Sequence, residues 1–214
     1  MKVYERIIDT SVAHRRIDPA DVAAALGAGP VSFAGRHSMD SPEWYTPSRI
    51  VEAARYAMGG IDLDPASHEE ANQIVRAEHY FTAEMNGLVQ KWYGRVFVNP
   101  PGGLVNEFWC KLIAELPNIE GAVWVGYSLE QLQTLQHSGA SAHPLDFPTC
   151  FPSQRIAFVE NEAAKVARKA RCEAKGKKFN PKSSPSHANY VTYLGRFPNR
   201  FDETFSPIGR VVLL

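Results

Sequence analysis

Hydrophobic and polar positions fall into short blocks punctuated by proline and glycine. Three blocks are continuous apolar runs, Val96-Phe97-Val98, Gly121-Ala-Val-Trp-Val-Gly126 and Ile156-Ala-Phe-Val159. Their length and β-branched or aromatic content predict strands buried on both faces. Ala188 to Leu194 alternates and predicts another strand, while Ile61 to Ser67 and His79 to Thr82 predict brief strands breaking into polar loops. Between them apolar residues recur at helical spacing. Ile50, Val51, Ala54, Ala57 and Met58 predict a helix capped by Thr46 or Ser48, with Pro47 in its first turn, and ended by Gly59-Gly60. Further helices are predicted from about His68 to Glu78, from Val105 to Leu116 and from Leu129 to Gln136. The aromatics of the third, Phe108 and Trp109, read as core. Phe197 to Leu214 closes the domain. Strands alternating with helices predict an α/β fold.

The 214 residues suffice for one substantial core. Residues 1–40 read as an N-terminal extension. Asp18-Pro19-Ala20-Asp21 starts a short helix over Val22 to Leu26, and the Gly- and Ser-rich stretch from Gly27 to Asp40 is a linker. The domain then occupies residues 41–214. Three scattered cysteines, Cys110, Cys150 and Cys172, contain no Cys-x-x-Cys pair. They suit a reducing compartment and speak against a zinc site. No segment has the pattern of a secretion signal or a membrane span. The expectation is a cytoplasmic protein with no membrane association, no metal and no evident obligate protein partner.

Charge changes the picture at one place. The whole chain is formally neutral, yet residues 163–185 set Lys165, Arg168, Lys169, Arg171, Lys175, Lys177, Lys178 and Lys182 against a single acid, Glu173. Such a run is either a solvated helix face or an arm for phosphates. Its one sign, and its position between two predicted strands, favour the arm.

The candidate chemistry gathers where strands end. Asn99-Pro100-Pro101 stops the central strand, since two prolines remove two N–H donors and fix φ. The residue before a proline is extended, so Asn99 is presented at the carboxyl edge, where open α/β sheets bind ligands. Asp62 and Asp64 lie in a similar strand-to-loop break. No G-x-G-x-x-G fingerprint is present, and an acidic loop suits a ligand with hydroxyls and a positive centre. Asp64 could equally serve only to cap the next helix.

Glu43-Trp-Tyr-Thr-Pro47, Asp62-Leu-Asp-Pro-Ala-Ser67 and Asn99-Pro-Pro101 occur in this order. With Phe151-Pro-Ser-Gln-Arg-Ile-Ala-Phe158 and His187-Ala-Asn-Tyr-Val-Thr-Tyr-Leu-Gly195 downstream, the sequence resembles the phage Dam-like DNA adenine-N6 methyltransferases from about Ser41 onward. The resemblance implies a Rossmann-like, S-adenosylmethionine-dependent methyltransferase fold, its core shortened between Asp64 and Asn99 and carrying the basic insertion. It implies S-adenosylmethionine as cofactor and DNA as partner, in phage- or prophage-encoded modification. By resemblance, Trp44, Tyr45, Thr46 and Pro47 with Asp62, Asp64, Pro65 and Ala66 form the cofactor pocket. Asn99, Pro100 and Pro101 receive the adenine, and Glu78 and Asn86 are candidates for the cofactor's ribose and adenine.

One departure bears on the substrate. Many relatives carry an aromatic after the two prolines, where this chain has Gly102. Either Trp44, Tyr45, Phe81 or Tyr127 replaces that platform, or the pocket takes something other than a flipped adenine. Gly102, Phe81 and Tyr127, with Lys175, Lys177 and Lys178 of the arm, are therefore the substrate-binding candidates. Alternatives to a DNA enzyme are a methyltransferase of the same fold acting on RNA or protein, and an inactive nucleic-acid-binding relative.

Overall fold

The computed structural model describes residues 44–160, 162–180 and 187–213. The helix expected at Val22 to Leu26, the linker, and Lys182 lie outside these residues.

In chain order the first half comprises β1 (Trp44–Tyr45), α1 (Ser48–Met58), β2 (Leu63–Asp64), α2 (Glu69–Val75), β3 (His79–Tyr80), β4 (Gly94–Val98), α3 (Val105–Glu115) and β5 (Ile119–Gly126). The second half adds α4 (Glu130–Leu135), β6 (Thr149–Pro152), β7 (Val159–Glu160), α5 (Glu162–Ala174), β8 (Tyr190–Gly195), α6 (Pro198–Phe205) and β9 (Gly209–Val212). One mixed sheet has the order β3-β2-β4-β5-β8-β6-β9, and β1 pairs with β7 in a separate two-stranded ribbon. The strands β3, β2, β4 and β5 are mutually parallel. From β5 onward every neighbour is antiparallel.

The apolar runs are buried on both faces because helices cover both. On β4, Phe97 points into a layer with Val51, Ala54, Phe201 and Phe205 of α1 and α6. Its neighbours Val96 and Val98 face Trp109, Leu112 and Trp124 on the α3 side. The same two-residue alternation divides Val123 and Val125 from Ala122 and Trp124 along β5. Burying aromatics of this size contributes about 1.5–3 kcal/mol each relative to exposure, so the edge of β4 sits on a strand packed firmly from both sides.

Several local expectations are revised. At α1 the N-cap residue is Pro47, and no side chain caps the helix. Neither Thr46 nor Ser48 serves, and the Thr46 hydroxyl instead stays buried without a partner. The other end behaves as expected, with Gly59 left-handed at φ 83° and its N–H on the Arg55 and Tyr56 carbonyls. The second helix is shorter than His68 to Glu78. Asn72 Oδ1 accepts the Ala77 N–H at 2.9 Å, Asn72 Nδ2 donates to the Ala77 carbonyl at 3.2 Å, and Arg76 turns left-handed. That side-chain bracket competes with the next helical turn. The apolar run Ile156 to Val159 is not a strand throughout. Only Val159 and Glu160 pair, with Tyr45 and Trp44, while Ile156 and Phe158 are core residues on irregular backbone. The strand β6 was not foreseen, because proline and serine interrupt its pattern.

Candidate active site

Parallel pairing fixes where the chemistry can assemble. The carboxyl ends of β2, β3, β4 and β5 share one edge, so Asp64, Phe81, Asn99 and Tyr127 converge there. A cavity of about 560 Å³ opens at this edge, a size that suits a small organic ligand. The ribbon supplies one wall through Trp44, Tyr45, Thr46 and the adjoining Phe158. The loop after β2 contributes Asp64, Pro65, Ala66, Ser67 and His68, and that after β3 contributes Phe81, Thr82 and Glu84. Asn99, Pro100, Pro101 and Gly102 form the floor beside Tyr127.

The Asn99 amide is held in one orientation. Its Nδ2 donates to the Trp44 carbonyl at 3.2 Å, leaving Oδ1 as the acceptor end. The Pro101 carbonyl accepts the Leu104 N–H at 2.9 Å as the chain turns toward α3. Among the described residues no such bond is made to the Pro100 carbonyl.

Asp64 is the buried carboxyl of the cavity lining, whereas Glu84 is exposed. Asp64 is 3% exposed, and burial pushes its pKa from 3.8 up to about 7, against the opposing hydrogen bond from the Ala66 N–H. In the same wall Thr46 Oγ1 is buried without a hydrogen-bond partner, and the buried Ser67 hydroxyl lies beside Asp64, where it also opposes the upward shift. Buried polar atoms without partners carry a desolvation cost. A ligand bearing donors and acceptors would remove it. The loop is also tightly braced, since a side chain at Gly87 would lie 1.9 Å from the Pro65 carbonyl.

Four expected cofactor residues are elsewhere. Asp62 is absent from the cavity lining. It accepts the Arg95 backbone N–H at 2.6 Å and Nε at 2.7 Å, and the guanidinium holds its pKa below the usual carboxylate range. It ties β2 to β4. Glu78 and Asn86 also lie outside the lining; Asn86 Oδ1 accepts the Leu88 N–H at 3.2 Å in its own turn. Pro47 begins α1 instead of lining the cavity. Ser67, His68, Glu84 and Phe158 were missed. Of these, Glu84 had a signal, being the acid just beyond a predicted strand end.

A prediction follows from the Asp62 pair. Arg95→Met is expected to lower stability in urea by about 2 kcal/mol, the scale of a lost hydrogen bond to a charged group, while calorimetric affinity for whatever ligand the cavity takes stays unchanged. Weakened affinity without loss of stability would return Asp62 to the ligand site.

The sequence model described as DNA N-6-adenine-methyltransferase (Dam) matches residues 36–175, well over half of the chain. The chain belongs to this family. No curated protein and no solved structure matches it. The Dam match takes in every cavity element from β1 through Phe158, and the seven-stranded mixed sheet is consistent with a methyltransferase-like fold. It also covers α5, whose middle is fixed to the ribbon: Arg168 contacts both Glu160 oxygens at 2.8–3.1 Å and stacks over Phe179 at 4.6 Å. Lys165 is paired with Glu162 at 2.9 Å. Lys175, Lys177 and Lys178 are exposed just beyond this Dam-family helix. Among the described residues, no helix is long and apolar enough to cross a membrane, and no cluster of three or more His, Cys, Asp or Glu could hold a metal.

Proposed function

We propose that the chain methylates the exocyclic amine of adenine in DNA with S-adenosylmethionine as donor, as a phage- or prophage-encoded modification enzyme. The observation that carries this reading is Asn99, oriented by Trp44 at the centre of the cavity edge with Oδ1 as its acceptor end. Membership of the Dam family supports the reaction and the substrate.

The donor set fits the cofactor. Asp64, Thr46 Oγ1 and Ser67 Oγ are buried polar groups suited to an ammonium and to hydroxyls, and Glu84 at the end of the β3 loop suits ribose hydroxyls. When bound, S-adenosylmethionine supplies a methyl group activated by its sulfonium. The residues of the chain do the rest. Asn99 Oδ1 and the Pro100 carbonyl accept the two N–H groups of the adenine amine, whose lone pair is otherwise delocalised into the ring. Holding both N–H groups out of the ring plane favours a pyramidal, more nucleophilic nitrogen. The prolines keep the acceptors from relaxing, so the effect is electrostatic preorganisation. A base inside a duplex cannot reach this floor and must be flipped out.

Mass spectrometry of nucleosides from host DNA after expression tests the function. The expected product is N6-methyladenine, absent from cells expressing the Asn99→Ala protein. Methylated cytosine, or modification of RNA alone, would overturn the proposal.

The arm gives a separate prediction. Lys175, Lys177 and Lys178 are expected to contact phosphates, so DNA affinity falls steeply with salt, by about 0.9 log units per contact for each tenfold rise in salt. Replacing all three with Ala is expected to flatten that slope and leave the methylated sequence unchanged. Equal slopes in fluorescence-anisotropy titrations would make the arm an ordinary solvated surface.

A further inference from the structure

A flipped base needs a flat apolar face to rest on, and stacking on an aromatic side chain is worth about 1–3 kcal/mol per base. Position 102 cannot provide it. A side chain there would meet nothing within 4 Å, so Gly102 leaves open room beside Asn99.

Sheet order assigns the remaining aromatics to two sides of Asn99. On the β2 and β3 side, the Tyr45 hydroxyl donates to Glu70 at 3.0 Å while its ring packs on His68 at 5.2 Å. Phe81 packs against the core beneath the β2 loop. Both belong with Asp64, in the half of the cavity that suits the cofactor. Trp44 offers Asn99 its backbone carbonyl while its ring packs on the α1 layer. Tyr127 stands on the opposite side, at the end of β5, next to β4 in the sheet, and the other aromatic there, Phe158, is buried at 4% exposure.

The way Tyr127 is held is specific. Its carbonyl accepts Nδ2 of Asn189 at 2.6 Å, and its N–H donates to Gln131 Oε1 at 3.1 Å. Asn189 is 5% exposed and also accepts the Ile156 N–H at 2.8 Å. One buried amide thus fastens the Tyr127 turn to the segment carrying Phe158. The Tyr127 ring is braced by two others, both tilted to it, Phe158 at 6.1 Å and 44° and His187 at 5.0 Å and 48°. Two motifs that carry no chemistry of their own, Phe151 to Phe158 and His187 to Gly195, converge on this one ring.

We infer that Tyr127 is the aromatic face against which the flipped adenine rests, and that Asn189 is a positioning residue that aims it. The inference rests on the proposed function and names the substrate contact within it. Stacking needs the ring and not the hydroxyl, so Tyr127→Phe retains activity. Asn189 acts through Tyr127, so any aromatic correctly placed elsewhere in the open room makes both dispensable.

The test uses the full chain, S-adenosylmethionine and unmethylated genomic DNA. Tyr127→Ala and Tyr127→Leu are expected to lower kcat/KM for DNA by about tenfold to a hundredfold, the range that base stacking spans. Calorimetric affinity for S-adenosylmethionine and the melting temperature serve as controls and stay near the parent. Asn189→Ala lowers kcat/KM in the same direction. Adding Gly102→Phe to Tyr127→Ala or to Asn189→Ala is expected to restore activity, which a merely structural defect would not permit. An active parent with an equally active Tyr127→Leu protein overturns the platform alone, as does failure of Gly102→Phe to rescue either variant. A parent that binds the cofactor yet leaves adenine unmodified overturns the functional reading and the platform with it.

Discussion

Asn99→Ala is expected to lower the rate of methyl transfer at least about a hundredfold, the scale of losing one preorganised polar contact in a reacting site. Cofactor affinity should hardly change, because the substitution leaves Asp64, Thr46 and Ser67 in the cavity wall. Single-turnover rates with saturating DNA, beside calorimetry of S-adenosylmethionine, separate the two effects. Asn99→Asp sharpens the reading. It keeps oxygen acceptors but cannot donate to the Trp44 carbonyl, so the side chain loses the bond that orients it. An intermediate loss is expected, and near-normal turnover in the Ala protein would remove Asn99 from the mechanism.

Asp64→Asn should separate binding from stability in opposite directions. The folded protein holds this proton up to about pH 7 while an ordinary aspartate releases it near 3.8. The folded state therefore binds more protons than the unfolded one across that window, and stability falls as the pH rises through it. The gap is about three pKa units, or about 4 kcal/mol at ~1.36 kcal/mol per unit, an upper bound on the order of magnitude. Asparagine cannot ionise, and its oxygen can still accept the Ala66 N–H. The apo variant is expected to melt higher than the parent at pH 8 by at least about 5 °C, each kcal/mol moving Tm by about 2–4 °C in a chain of this size. The gain should shrink as the pH falls towards 5. At pH 8, where Asp64 is ionised, affinity for S-adenosylmethionine is expected to drop at least about tenfold, since a buried anion suited to a cationic ligand has been removed. A lower melting point at pH 8 would contradict the burial argument, and unchanged affinity would reduce Asp64 to a bracket for its own loop.

The sequence revealed the strands whose apolar residues are contiguous and the motif where β4 breaks, because those features are local. Val96 to Val98, the two prolines and the glycine at the end of α1 each constrain the backbone within a few residues. Asp62 and Asp64 defeated sequence reasoning for a geometric reason. Two residues apart on a strand, they look equivalent in the acidic loop, yet one is neutralised by Arg95, 33 positions away, and the other is left in the cavity wall. Local pattern cannot see such a partner. The same holds for Phe158, which reaches the cavity through pairing of β7 with β1, and for Glu84, whose place depends on how β3 joins the sheet. The basic run was legible as charge, but its division into an anchored middle at Arg168 and exposed lysines beyond was not.

That anchor has a consequence for how the protein would meet a polyanion repeatedly. Glu160 lies opposite Trp44 in the ribbon and is only 5% exposed at its side chain, where Arg168 grips it. Dissolved ions weaken contacts between exposed lysines and phosphates far more than they weaken a pair so shielded. Salt that weakens any phosphate contact of those lysines would therefore leave the Arg168–Glu160 pair in place, and the cost of orienting the helix falls on folding, once.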